Sequence, residues 1–210
     1  DLGEDAHRRL ASLVAVDVAD ADDASARAAS AVERALRPYA TDGPFETVGG
    51  YADVLEALAL EAPGTGVALA LDSDPSDGLR TAALDAWRSH GLAAHRALDD
   101  ATIGRYDGCV VTRVDADSSV LPTVARLVRD FRSPEAVAVA VDESAGRLAA
   151  AAVEPLGLGD ACRSAASEFD ATGWGTAVRG GIAVDALDEE ADGEKAGDIS
   201  GALAALREAL

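Results

Sequence analysis

At 210 residues with 49% hydrophobic side chains, the chain is long enough for one large domain or two small ones and apolar enough for a core. The formal net charge is -20, with one lysine, Lys195, among 18 basic residues. No run of about 18 apolar residues occurs, and no basic segment leads into an apolar one at the start, so neither a membrane span nor a secretory leader is expected.

The elements follow from periodicity. Residues 11–19 (ASLVAVDVA) are rich in β-branched residues and read as a buried strand. The following DADDAS offers N-caps for a helix over residues 24–39, closed by Pro38 and the Thr41-Asp42-Gly43-Pro44 turn. Residues 51–62 read as a second helix, with Val54, Leu55 and Leu58 inward. Pro63-Gly64-Thr65-Gly66 ends it, and residues 67–71 (VALAL) read as another buried strand. Leu79, Ala83, Trp87, His90, Ala94, Ala97 and Leu98 hold a helical period through residues 79–102. If continuous, that helix is about 36 Å long and suits a connection between two lobes. The best break is near Gly104–Arg105, dividing the chain into 1–103 and 104–210.

Beyond the break the pattern is β-α-β-β-α-β-α. Strands are expected at 107–114, 136–141, 148–153 and 181–186, the middle two as a hairpin turning at Gly146. Helices are expected at 119–131, 159–170 and from Ile199 to the end, the last after an acidic linker over 188–198. The fold class is α/β, with a mixed sheet in the second region.

The densest chemistry lies in residues 172–184, TGWGTAVRGGIAV. Glycine allows close backbone approach that a Cβ forbids. Two readings stand: a tight turn with a strand bulge at Gly180–Gly181, or a binding loop. In the second, Gly173, Trp174, Gly175, Thr176, Arg179, Gly180 and Gly181 form the site. Trp174 offers a flat face for a base and Arg179 a fork for a phosphate.

Other chemistry is missing. Cys109 and Cys162 lie far apart and form no metal spacing or disulfide framework, so a reduced, cytoplasmic protein is expected. His90 and His95 lack the i, i+4 spacing of a metal pair, His7 is isolated, and the three read as surface or spine residues. Gly64-Thr65-Gly66 lacks the flanks of a dinucleotide fingerprint, and no phosphate-binding lysine loop occurs. Ser164 and Ser167 have no triad partners. Arg105, Arg113 and Arg147 read as solubility residues.

The order of elements, with a glycine-rich segment between the penultimate helix and the last strand, resembles the C-terminal domain of the DHH/DHHA1 phosphoesterases, the superfamily of the RecJ-like exonucleases. The resemblance covers residues 51–210. YADVLEALALEAPGTGVALALD, residues 51–72, is similar to the family's helix followed by a "GxALAL" strand, and the long helix after it is similar to the interdomain helix. Residues 172–180 stand where the family carries Gly-Gly-Gly-His-Pro-x-Ala-Ala-Gly. The closing glycine is kept as Gly180, the histidine place is Gly175 and the proline place is Thr176. The Ser-x-Arg of the preceding strand is absent from residues 148–153.

The resemblance implies a DHHA1-like domain over 104–210, behind a smaller α/β lobe. It implies a RecJ-like protein that binds single-stranded DNA or RNA, or serves as a scaffold for replication or repair proteins. The family's catalytic Asp-His-His is not in this chain. Asp20-Ala21-Asp22-Asp23 is superficially similar to the first metal motif but reads as helix capping. No catalytic or metal-binding residue and no cofactor is therefore expected here. Manganese or magnesium, and exonuclease chemistry, would belong to a DHH half elsewhere in a longer protein. Asp1 in place of Met reads as a fragment or a processed chain. The carboxylate excess resembles proteins of halophilic archaea, for which acidity is solvation chemistry and does not exclude nucleic acid. The alternative is a structural or small-molecule-sensing α/β module.

Overall fold

The computed structural model describes residues 3–21, 32–33, 36, 38–184 and 198–210. The helix expected over 24–39 and the acidic linker over 188–198 fall largely outside them. The chain divides into two compact units, Asp1–Arg88 and Ser89–Leu210.

In the first unit, α1 spans Glu4–Asp20, α2 Val48–Glu61 and α3 Pro63–Leu71. Both strands expected here are helices. In residues 11–19 the less exposed positions are Ala11, Ala15 and Val18, spaced four and three apart. That is a helical period, and the β-branched valines do not overrule it. In VALAL, Pro63 starts a helix instead of ending one, because a first-turn proline has no N–H to lose. Gly66 and Leu69 are then buried three residues apart. Val54, Leu58, Leu69 and Ala83 form the small core of this unit. Thr47 caps α2, its hydroxyl accepting from Gly50 N–H at 3.0 Å. Among the described residues of this unit the regular elements are helices, with one isolated bridge, Ala40–Thr47.

The long helix α4 runs Asp77–Asp99 and stops before residue 102. The division between the units falls inside it, ahead of the break expected at 103/104. Strand β1 (Thr102–Tyr106), absent from the sequence reading, pairs antiparallel with β2 (Cys109–Arg113) across a tight turn at Gly108.

The rest of the second unit follows the expected order with one strand more. The helix expected over 119–131 is composite. It comprises a 3-10 turn (Ser118–Val120), α5 (Leu121–Leu127) and a π-helical turn (Val128–Arg132). β3 (Val137–Asp142) and β4 (Arg147–Ala152) form the expected hairpin. α6 (Leu158–Ser167), β5 (Ala171–Gly175), β6 (Arg179–Val184) and α7 (Ile199–Glu208) complete it. The sheet is therefore mixed, in the order β1-β2-β3-β4-β6-β5, with β2–β3 its parallel pair. The protein is α/β.

Each face of the sheet has its own core. Cys109, Val111, the valines of β3, Leu148, Ala150, Ala152, Ile182 and Val184 face α6 and α7. Val110, Ala138, Ala140, Ala149 and Ala151 face α4 and α5. The many alanines let helices lie close to the strands, which is how so few aromatics suffice. The second core takes no residue from β5 or β6, so the α4–α5 layer stops at β4.

Candidate nucleic-acid interface

The glycine-rich segment is a β-hairpin. Gly173, Trp174 and Gly175 lie on β5, Thr176 opens the turn, and Arg179, Gly180 and Gly181 lie on β6, with Trp174 opposite Gly181 and Gly175 opposite Gly180. Alternation splits the seven candidate residues between two faces.

Gly173, Gly175 and Gly180 point toward α6. A Cβ on Gly173 would stand 2.7 Å from the Arg163 Cα, and one on Gly180 would stand 2.5 Å from the Cys162 Sγ. From the other side, a Cβ on Gly159 would lie 2.5 Å from the Gly175 oxygen. Helix and hairpin therefore touch backbone to backbone. Gly175 also has φ +146, a region side chains disfavour. The turn caps the helix as well: Leu158 N–H donates to Ala177 O at 3.3 Å, and Gly159 N–H to Thr176 O at 2.7 Å. These first-turn donors are ones a phosphate would otherwise seek. The four glycines on this side are spent on packing, and sequence spacing gave no sign of it because Gly159 sits on a different element.

Trp174, Arg179 and Thr172 share the opposite face with Gly181, the face the helical layer leaves open. A Cβ on Gly181 would fall 2.7 Å from Cζ2 of Trp174. The indole thus lies over the glycine and buries it, while 50% of Trp174 remains exposed. Arg179 is exposed two residues before Gly181 on the same side. Arg147, opposite Ala183 in the next strand, joins this face; its Nη1 donates to Val184 O at 2.7 Å. The face thus offers a half-open aromatic surface and two guanidinium-bearing side chains.

A cavity of about 440 Å³ opens elsewhere, at the carboxyl ends of β2 and β3, among Asp100, Arg113, Asp115, Asp142, Glu143 and Ser144. Arg113 Nε donates to Glu143 at 2.9 Å. Asp142 is buried, which raises its pKa, but Ser144 Oγ and the N–H groups of Ala145, Ala116 and Ser144 donate to it and bring it below the usual range. Its carboxylate ties the loops after β2 and β3 together. The carboxylates of this lining repel phosphate, so the open hairpin face is the better place for an anion. The sequence carries no motif for this cavity, since its lining comes from three separated segments.

His90 lies on the long helix α4, buried and not at the surface, and its Nε2 lies 2.7 Å from the hydroxyl of Thr123 on α5. No group of three or more His, Cys, Asp or Glu side chains that could hold a metal gathers among the described residues. No described helix is long and apolar enough to cross a membrane.

Fold and site together define an α/β domain with a three-layer core and an open hairpin face at one edge of its sheet. Residues 101–208 match the family described as "Uncharacterized protein rrnAC1427, C-terminal domain", and the chain belongs to that family. The uncharacterized protein rrnAC1427 of Haloarcula marismortui is 50% identical to it over 162 residues, which cover 76% of this chain and 42% of that relative. The chain thus spans less than half the length of the curated relative it matches.

Proposed function

We propose that this chain is the substrate-holding part of a RecJ-like protein, binding single-stranded DNA or RNA on the open face of β5 and β6. The observation that carries this reading is Trp174, half exposed beside Arg179 on a sheet face that the described α4–α5 core does not reach. An aromatic on a sheet is a sequence-tolerant platform for a base. A guanidinium next to it can take the adjoining phosphate bidentately. In concentrated salt the phosphate attraction is screened, and stacking carries more of the affinity. Hydrolysis would belong to another part of a longer protein and would not be a property of these residues. Replication or repair proteins are further candidate partners, and the cytoplasm is the expected compartment.

The test is titration of a fluorescein-labelled oligothymidylate with the purified chain in high salt. Trp174→Ala is expected to weaken binding roughly 5- to 150-fold, as the loss of one stacked base does. Arg179→Ala is expected to weaken it and to flatten its salt dependence. A second reading is favoured by the glycine contacts with α6, under which the hairpin is a structural cover for that helix. It predicts no oligonucleotide binding by the wild-type chain, and that result would overturn the proposal.

A further inference from the structure

We propose that the outer edge of β5 is a pairing surface for a second copy of this chain, joined antiparallel, β5 to β5, about Gly173. Among the described residues β5 pairs with β6 alone and ends the sheet. Val184 donates its N–H to Gly146 O, toward β4. Val184 and its partner Ala171 are therefore a pair whose backbone groups point away from each other. By alternation the N–H and C=O groups of Ala171 and Gly173 face outward, a ladder without a neighbour among the described residues.

Natural edges are usually guarded by charge, proline or a bulge. The opposite edge, β1, carries Arg105 with Asp107 just beyond it. β5 itself carries none, and the nearest charge along the chain is Asp170 just before it. Residues 171–178, ATGWGTAV, contain no ionisable side chain, in a chain of net charge -20 with 27% charged residues. This strip is where two such acidic molecules meet with least repulsion. A basic partner would find its attraction on the carboxylate-rich remainder of the surface instead. The strip is also self-complementary. With Gly173 opposite its own copy, Thr172 faces Trp174 of the other molecule on the open face. Thr172 and the flank of Trp174 that does not lie over Gly181 then leave water. This pairing does not depend on the nucleic-acid reading.

A five-residue edge is short, so the equilibrium is weak and is read at high protein concentration. Sedimentation equilibrium of the full chain in concentrated KCl, with no nucleic acid present, is expected to show monomer and dimer in exchange. Hydrogen exchange at the Gly173 amide is expected to slow as concentration rises. Thr172→Glu sets a charge against the other molecule's Trp174, with its own copy on the diagonal, and is expected to weaken the dimer about two- to five-fold, whereas Thr172→Ser leaves it unchanged. If the Glu variant melts early, Thr172→Lys gives the same reading. A monomer at every concentration overturns the proposal, and so does a dimer indifferent to both charged variants. Slow exchange of the Gly173 amide in the dilute monomer would show that another part of the same chain covers the edge, and would also overturn it.

Discussion

Gly173 and Gly181 sit on neighbouring strands, eight positions apart in sequence, yet their missing Cβ atoms serve opposite purposes. At Gly173 the added atom would meet the backbone of Cys162 and Arg163, which cannot yield without moving α6. Gly173→Ala is expected to cost about 1–3 kcal/mol or more, the range for overpacking a close contact. At Gly181 the obstacle is the Trp174 ring, a side chain that can swing away. Gly181→Ala should melt closer to wild type while exposing the indole further. With Trp87→Phe leaving Trp174 as the sole tryptophan, a red-shifted emission would report that change. Equal melting losses for the two variants would contradict the division of the glycines into packing and open-face sets. The sequence showed that these glycines were special but not which of them faced a helix. Facing depends on strand parity, and parity was hidden while the segment read as a loop.

α6 and the hairpin show how far periodicity carries. β2, β3, β4, α6 and α7 were legible because each combines an apolar run with a clear boundary such as Gly146 or Gly157. VALAL and LVAVDV were not, since short apolar runs fit a strand or a buried helix equally. What separated them was context outside the run: Pro63 as a helix start, and the Ala11, Ala15, Val18 spacing. β1 escaped notice because Thr102–Tyr106, with its burial pattern of mostly exposed residues, carries little apolar signal at a sheet edge. Between the sheet and the α6–α7 layer lie Cys109 and Cys162, whose thiols burial pushes up to about 11 from 9.0. A raised thiol pKa stabilises the folded state below the unfolded value, and that contribution is lost as pH climbs through the folded one. The melting temperature is therefore expected to fall between about pH 9 and pH 11. A Cys109→Ala/Cys162→Ala variant should start lower and fall less across the same window. A parallel decline in both proteins would assign the alkaline loss to other groups.

On the scale of the whole molecule, charge dominates. With 38 carboxylate side chains against 18 basic ones, the folded chain repels itself in dilute buffer. The described ion pairs are mostly exposed, as for Arg8–Asp5 and Arg88–Asp85, and such pairs offset little. Stability is expected to fall steeply below roughly 0.5 M salt, where the screening length exceeds about 4 Å. Thermal melts across a KCl series check this; a transition that stays flat from about 0.1 M to about 3 M would remove the argument from charge.

The strand order also sets how the second unit can assemble. β1–β2, β3–β4 and β5–β6 each join sequence neighbours, leaving β2–β3 and β4–β6 as the seams that bridge an intervening helix. Loop closure is therefore cheap for most ladders, which favours rapid folding for a sheet of this size. Because α6 lies between β4 and the hairpin in the chain and packs on Gly173 and Gly180, docking of the helix and closure of the β4–β6 seam are expected to be one kinetic event. Slowed refolding of Gly173→Ala, beyond its loss of equilibrium stability, would place that event before the barrier.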